Sequence, residues 1–335
     1  MSKNGFICLL VLLLTTGCET DRKLTFSIFH WKSQFNPNST EQAFLNNHQI
    51  QKIYVRYFDV KTEYGIAKPV AILSEFEALK NFEYVPSVYL VNAVLKGLNK
   101  DETSLLALNI GMKIKAINGK FGIAPKEVLL DCDWTKSSQE AFFQLIKVVE
   151  QEIEIPIIST IRLHQFKNFE KTGVPPVKRG ILMMYNMGEL SSIDEQNSII
   201  NPAIAKQYKR PFEEYPIKLE IALPIFSWLV LYRDGRPIEL ISNFDSTYFN
   251  NPTIFKALEN EKFTLELDTF IFEKKRYKYD VFRLENSKNS EIINMVNDWK
   301  SAFPKDSLSL SFYDLRIKNI ENRDELIEQL ENTLL

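Results

Sequence analysis

Eight short runs rich in Val, Ile, Leu and aromatic residues recur along the chain, and segments of helix length separate several of them. The runs are Leu24–Trp31, Ile50–Val60, Glu83–Asn92, Lys126–Trp134, Ile155–Leu163, Arg179–Met187, Lys218–Phe226 and Ser307–Leu315. Strands of a parallel sheet that helices cover on both faces have this composition. Eight such strands alternating with helices predict an α/β fold, the (β/α)8 or TIM barrel. The alternative is a doubly wound open sheet, but its usual glycine-rich first turn does not occur in this sequence.

Four segments have the length and polarity of helices: three between runs, Glu102–Asn118, Ser138–Glu152 and Ser290–Ala302, and one after the last run, Arg323–Leu334. Residues 237–306, between the seventh and eighth runs, are too many for a simple loop. Two strand-like stretches there flank the charged residues Glu273–Arg276, which predicts an inserted β-hairpin with its turn at those residues. We expect residues 18–335 to form a single barrel domain with this insertion on its rim.

The composition excludes several classes of protein. Apolar residues make up 45% of the 335 residues, and the formal net charge of −2 provides no basic excess for binding nucleic acid. Glycine is scarce (11 residues), and neither GxxxxGKS/T nor GxGxxG occurs, so a phosphate-binding loop is not expected. The three histidines, His30, His48 and His164, are far apart and lack metal-ligand spacing. We therefore expect no metal and no cofactor.

The N-terminal residues have the layout of a secretory signal. Lys3 precedes an uncharged apolar run, Phe6–Leu14, that is too short to cross a bilayer as a stable helix. The Thr-Thr-Gly-Cys that follows resembles a bacterial lipobox, with Leu14 one place further from the cysteine than usual. This resemblance implies that residues 1–17 are a lipoprotein signal peptide and that Cys18 is acylated, which anchors the chain on an extracytoplasmic face of a membrane. A plain signal peptide or an N-terminal anchor helix is the alternative.

The fourth run ends in Leu-Leu-Asp-Cys-Asp-Trp, in which two carboxylates bracket a cysteine. Because side chains alternate between the faces of a strand, Asp131 and Asp133 share one face while Cys132 and Trp134 share the other. Functional groups of a TIM barrel lie at the carboxyl ends of its strands, so we expect both aspartates to face the mouth. Two like charges in a cleft should raise the pKa of one of them, which suits proton transfer or binding of sugar hydroxyls. Capping a helix or ordering a loop is the structural alternative.

Three separated pieces of the chain resemble the family-18 glycoside hydrolases, the chitinase-like barrels. Leu-Leu-Asp-Cys-Asp-Trp-Thr is similar to their fourth-strand motif, DxxDxDxE. Met183–Met187 resembles their sixth-strand Met-x-Tyr-Asp, and Ile221–Trp228 is similar to their seventh-strand segment, which contains a proline. The chain also resembles a bacterial family of glycosidase-like TIM barrels of unknown function. These resemblances imply a carbohydrate ligand, and they place Tyr185 and Asn186 at the family's Tyr-Asp pair.

The family's catalytic acid is not present at the matching position. The motif places its first Asp on Val128, the next two on Asp131 and Asp133, and its glutamate on Thr135. In the family, the glutamate protonates the glycosidic oxygen while the neighbouring Asp and Tyr hold the substrate's acetamido group as the nucleophile. A threonine hydroxyl cannot act as a general acid near pH 7. The resemblance therefore implies a site that holds a sugar but has lost its acid.

Other side chains near the strand ends are candidates for the site. Asp59, Asp314 and Glu189 are carboxylates that could replace the missing acid, Asp59 being the first choice, although each could instead cap a loop. Arg162 and His164, at the end of the fifth run, could donate hydrogen bonds to a sugar. Aromatic rings that could stack on a sugar are Trp31, Tyr57, Tyr89, Tyr185 and Trp228; Trp134 should point outward.

Three functions from different classes remain open at this point. The first is a membrane-anchored, carbohydrate-binding barrel that has lost catalysis at the family's acid position. The second is an active glycoside hydrolase that uses Asp133 with a non-family acid such as Asp59. The third is an interaction scaffold without a sugar ligand. A shared fold does not by itself decide among them.

Overall fold

The computed structural model describes residues 22–335, so the signal segment and Cys18 lie outside the described residues. Eight parallel strands form a barrel: β1 (Lys23–His30), β2 (Lys52–Glu63), β3 (Glu83–Leu90), β4 (Val128–Cys132), β5 (Ile157–Arg162), β6 (Arg179–Met183), β7 (Lys218–Pro224) and β8 (Ser307–Tyr313). The sheet closes because β1 pairs with both β2 and β8. The predicted TIM barrel is confirmed, and each predicted strand overlaps an observed one.

Helices surround most of the barrel. Among residues 22–335 they are α1 (Ser39–Asn47), α2 (Lys100–Phe121), α3 (Gln139–Ile153), α4 (Leu163–Lys167), α5 (Phe169–Thr172), α6 (Pro202–Gln207), α7 (Asn289–Trp299), α8 (Ile317–Ile320) and α9 (Asp324–Leu334). The longest, α2, starts at a capping box formed by Asn99 and Glu102 and ends at Gly122, whose φ of +66° favours glycine. No helix within residues 22–335 is long and apolar enough to cross a membrane.

The outer face of β4 packs against α3, as strand alternation predicts. Cys132 and Trp134 are both 1% exposed. The Trp134 ring stacks on Phe142 of α3 with ring centroids 5.4 Å apart, and its indole N–H donates to the Thr172 carbonyl at 3.0 Å. Because Trp134 and Cys132 belong to the core between sheet and helices, the aspartates that alternate with them are directed to the other side.

The alternation of strand and helix fails between β2 and β3. Strand β2 continues past the barrel rim and pairs in an antiparallel hairpin with Ile66–Val70, and no helix lies between that strand and β3. The register between β2 and β3 also shifts between Arg56 and Phe58, where the chain forms a bulge. The bulge changes which side chains of β2 face the barrel interior.

A second, antiparallel sheet is inserted between β7 and β8. Its order is Arg236–Ile241, Ser227–Arg233, Val281–Asn286, Lys262–Leu265 and Phe255–Ala257. The insertion therefore begins at Ser227, earlier than the predicted residue 237. Helix α7 lies within the predicted insertion, residues 237–306, but packs as one of the helices around the barrel. The small hairpin of Thr269–Ile271 and Lys274–Arg276 turns at Phe272–Glu273, so the predicted turn at Glu273–Arg276 was placed too late in the chain. The sheet has its own apolar core, which includes Leu229, Leu265 and Phe282.

Ion pairs fill the barrel interior near the amino ends of the strands. Glu220, which is 3% exposed, accepts hydrogen bonds from Ser27 (2.8 Å), Tyr54 (2.8 Å) and Arg179 (2.5 Å). Arg179 also donates to Glu127. A hollow of about 1060 Å³ opens at this end of the barrel, but Glu220, the buried charge that lines it, is already paired. At the opposite end, by contrast, the buried groups Tyr185 and Arg162 each keep a polar atom without a partner among residues 22–335.

Candidate functional site

A cavity of about 290 Å³ lies at the carboxyl ends of the barrel strands. It is lined by Trp31, Tyr89, Asp131, Arg162, Met183, Tyr185, Asn186, Phe226, Ser227, Trp228, Ser242, Tyr313, Asp314 and Arg316. Eight of the predicted site residues therefore meet in one place, although they come from seven different strand ends: Trp31, Tyr89, Asp131, Arg162, Tyr185, Asn186, Trp228 and Asp314. We call this space the aromatic cavity.

Asp131, the last residue but one of β4, is a buried carboxyl on the cavity wall. Its Oδ1 accepts a hydrogen bond from Thr160 of β5 at 2.7 Å, and no group among residues 22–335 donates to its Oδ2. Burial, and secondarily the charge of Asp133, raise the pKa of Asp131 to about 7. The structure thus provides a carboxyl that can hold or release a proton near neutral pH, although burial contributes more to this than the neighbouring charge that the sequence indicated.

This raised pKa predicts a pH dependence of stability. Between about pH 4 and pH 7 the folded chain keeps a proton on Asp131 that the unfolded chain has released, so the free energy of unfolding should fall as the pH rises through this window. The full slope is about 1.4 kcal/mol per pH unit for one group. Asp131→Asn, which keeps an acceptor for Thr160, should remove this contribution. Thermal unfolding at pH 5 and pH 8 checks this, and equal pH dependence in wild type and variant would contradict it.

Asp133 forms an ion pair with Arg162 of β5 across the rim. The guanidinium donates twice, from Nε to Oδ1 and from Nη2 to Oδ2, the latter at 2.6 Å. The Asp133 side chain is 37% exposed and lies in a neighbouring hollow of about 320 Å³ that also contains Thr135 and His164. Arg162 and Tyr185 line both spaces, so the two hollows adjoin, and we call the two together the cleft.

Two buried hydrogen-bond donors of this cleft have no partner among residues 22–335. They are the Tyr185 hydroxyl and Nη1 of Arg162. Burial, together with the nearby Asp131, holds the pKa of Tyr185 well above its usual range, so this phenol remains a neutral donor. Leaving a buried donor unpaired costs about 1–3 kcal/mol, which an oxygen atom of a ligand would recover. Both groups therefore have hydrogen-bonding capacity that none of residues 22–335 uses.

Aromatic rings form the walls around these donors. Tyr313 lies 5.5 Å from Tyr185 and 5.6 Å from Trp31, and Phe226 lies 5.2 Å from Trp228, measured between ring centroids. Tyr313 and Phe226 were not among the predicted site residues, although both lie near the carboxyl end of a predicted strand. That position was the signal that could have identified them.

Two predicted residues of β2, Tyr57 and Asp59, do not line the cavity. The Tyr57 side chain is buried against α2 and its hydroxyl donates to Asn118 at 2.7 Å, because the bulge at this point turns it away from the mouth. Asp59 is 2% exposed, and Arg56 donates to both of its oxygens at 2.8 and 2.5 Å. A carboxylate held in this way is poorly placed to donate a proton to a ligand.

The other candidate carboxylates do not replace the acid that is missing at Thr135. Thr135 lies on the rim, and its hydroxyl is 3.0 Å from the Ser137 hydroxyl and 3.4 Å from the Asn92 amide. Asp314 lines the cavity, but its two oxygens accept from Asn319 (2.5 Å) and Arg316 (2.9 Å). Glu189 lies outside the cavity, and its Oε1 accepts a hydrogen bond from the Ser191 hydroxyl at 2.5 Å. Asp131 is therefore the carboxyl that presents an oxygen without a protein partner to the cavity.

No cluster of His, Cys, Asp or Glu suited to holding a metal ion occurs within residues 22–335. No protein-family model matches the chain, and no curated protein matches its sequence.

Solved structures match the fold at low sequence identity. The spore cortex-lytic enzyme SleL of Bacillus megaterium QM B1551 is 11% identical, with a TM-score of 0.51 over 92% of this chain and 74% of that one. A GH18 chitinase variant from Cycas revoluta in complex with (GlcNAc)4 is 12% identical, with a TM-score of 0.50 over 92% of this chain and 99% of that one. The chain thus has the fold of the chitinase-like TIM barrels.

Proposed function

We propose that this protein binds carbohydrate in the aromatic cavity and has lost the general acid of the family it resembles. The observation that carries the proposal is the pair of buried, unpartnered donors, Tyr185 and Arg162, between aromatic walls. Sugars present apolar ring faces to aromatic side chains and acceptor oxygens to such donors. A cavity of this composition fits a sugar better than an apolar ligand.

The sugar we propose is N-acetylated. An acetamido carbonyl is a strong acceptor, and it would receive hydrogen bonds from Tyr185 and from Arg162 Nη1 beside Asp131, which lines the same space. The charges of Asp133 and Asp314 are each paired with an arginine, so the cavity has no excess of positive charge that would favour an acidic ligand. The chitinase of similar fold is in complex with an N-acetylglucosamine oligomer, which supports this choice.

Calorimetric titration with (GlcNAc)4 tests the proposal. We expect binding by the wild-type protein and affinity about tenfold lower in Tyr185→Phe and in Asp133→Asn, because each change removes a buried hydrogen bond or releases Arg162 from its position. Tyr57→Phe is the matched control, since it removes a tyrosine hydroxyl of the same barrel that lies outside the cavity. Absence of binding, or equal losses in Tyr57→Phe and Tyr185→Phe, would overturn the proposal.

An active glycoside hydrolase is the second candidate. The observation that favours it is Asp131, whose pKa of about 7 would allow it to give up a proton at the cavity wall. Asp59 receives no such support, since Arg56 occupies both of its oxygens. Slow hydrolysis of aryl N-acetylglucosaminides that disappears in Asp131→Asn would select this candidate.

We also propose that the barrel is held on an extracytoplasmic membrane face by an acyl group on Cys18. The support is the order of basic start, apolar run and Thr-Thr-Gly-Cys in residues 1–18. A single acyl chain binds a membrane only weakly and reversibly, and stable anchoring needs a second signal such as another chain. An anchor with several chains on Cys18 would therefore hold the protein firmly.

A further inference from the structure

Glu285, in the inserted sheet, is a fully buried carboxylate that connects this sheet to the loop after β6. It lies in the strand Val281–Asn286 and is 1% exposed. Its Oε1 accepts from Arg283 Nε at 2.6 Å, and its Oε2 accepts from the Ser198 hydroxyl and from the indole N–H of Trp228, each at 2.6 Å. Trp228 belongs to the wall of the aromatic cavity. Trp228 is also the residue opposite Glu285 on the neighbouring strand. One carboxylate therefore joins the loop that contains Ser198 to the part of the inserted sheet that forms the cavity wall.

The same loop is held by the inserted sheet at further points. This loop, residues 184–201, follows β6 and contains Tyr185 and Asn186. Arg283 donates to the Ser192 carbonyl at 2.5 Å, and the Tyr232 hydroxyl donates to the Leu190 carbonyl at 2.8 Å. The Asn197 amide donates to the Asn286 carbonyl at 2.8 Å. These hydrogen bonds attach the loop that carries the Tyr185 donor to the inserted sheet.

We propose that Glu285 is a positioning residue that fixes the indole of Trp228 and the β6 loop against each other, and so sets the width of the sugar-binding cavity. This inference rests on the proposed carbohydrate-binding function. A charged acceptor suits the task because hydrogen bonds to a carboxylate are stronger than those to a neutral oxygen and more demanding in geometry. Trp228 is only partly buried, so without this bond its ring could adopt other rotamers at the mouth.

The test combines fluorine NMR with ligand titration on full-length protein in detergent, labelled with 5-fluorotryptophan. The Trp228 resonance is assigned by its absence in Trp228→Phe. In Glu285→Gln we expect this resonance to shift or broaden while those of Trp31, Trp134 and Trp299 stay in place, and the affinity for (GlcNAc)4 to fall about tenfold. Glu261→Gln is the matched control, because Glu261 is also a carboxylate of the insertion but pairs with exposed Lys288.

Ser198→Ala provides a second variant in case Arg283, left beside an uncharged glutamine, prevents folding of Glu285→Gln. It removes one partner of the carboxylate and keeps the Arg283–Glu285 pair, so we expect a smaller change in the same direction. An unmoved Trp228 resonance in a folded Glu285→Gln protein, or in Ser198→Ala if Glu285→Gln does not fold, would overturn the proposal. A moved resonance with unchanged affinity would also overturn it. If the wild type does not bind (GlcNAc)4, the proposed sugar is refuted, while the resonance still decides whether Glu285 fixes Trp228.

Discussion

Thr135→Glu is expected to raise the hydrolysis of an aryl N-acetylglucosaminide by about 10²-fold or more, since general acid catalysis contributes roughly 10²- to 10⁴-fold. Thr135 lines the same cleft as Asp133 and Arg162, so a glutamate there would extend from the rim towards the ligand site. The wild-type protein, without an acid at this position, should hydrolyse the substrate slowly or not at all. Initial rates of release of the aryl group measure both.

Thr135→Gln is the control for this prediction, because glutamine has nearly the size of glutamate but cannot donate a proton as an acid. Its rate should equal that of the wild type. Strong wild-type hydrolysis that survives Asp133→Asn would contradict the loss of the acid and direct attention to another carboxyl, with Asp131 first and Asp59 second. The Thr135→Glu variant should bind (GlcNAc)4 like the wild type, since Thr135 is not among the donors expected to hold the sugar.

Cys18→Ala is expected to abolish acylation completely. Cells that express the protein and are fed an alkyne fatty acid should label the wild type, and the label should be absent from Cys18→Ala, because no other residue is expected to accept the acyl group. The protein should move from the membrane fraction to the soluble fraction or accumulate with its signal uncleaved.

Cys8→Ala serves as the control for acylation, since Cys8 lies within the apolar run and should be removed with the signal peptide. Its label should match that of the wild type. Label retained in Cys18→Ala would contradict a lipid anchor at this residue and favour a plain signal peptide or an anchor helix.

The barrel could be predicted from the sequence because its strands are buried on both faces and so appear as continuous apolar runs. The strand Ile66–Val70 was missed because most of it is exposed and it carries a lysine and a proline, so it has no such run. Helix α1 was missed although Asn38 and Glu41 form a capping box that the sequence contains. The inserted sheet was only partly recognised, since antiparallel strands this short give weak periodic signals.

Strand alternation predicted the direction of Asp131 and Trp134 correctly, because β4 is regular. Tyr57 was placed at the site because it lies near a strand end, but a bulge that no local pattern reveals turns its side chain outward. The pairing of Asp133 with Arg162 also could not be predicted, since it depends on the register of two strands and on the rotamer of a long side chain. Local periodicity identifies where strands end, whereas the hydrogen-bond and ion-pair partners of each side chain depend on how the strands pair in the closed sheet.

A lipid anchor on Cys18, as proposed, would determine which end of the barrel lies near the membrane. β1 begins at Lys23, at the end of the barrel opposite the aromatic cavity. An extended chain covers at most about 3.6 Å per residue, so the tether from Cys18 to Lys23 reaches roughly 18 Å. With an acyl group on Cys18, the floor of the barrel would rest near the bilayer while its mouth opened outward. The sugars within reach would then be those of a surrounding polymer layer, not the headgroups of the membrane that bears the protein.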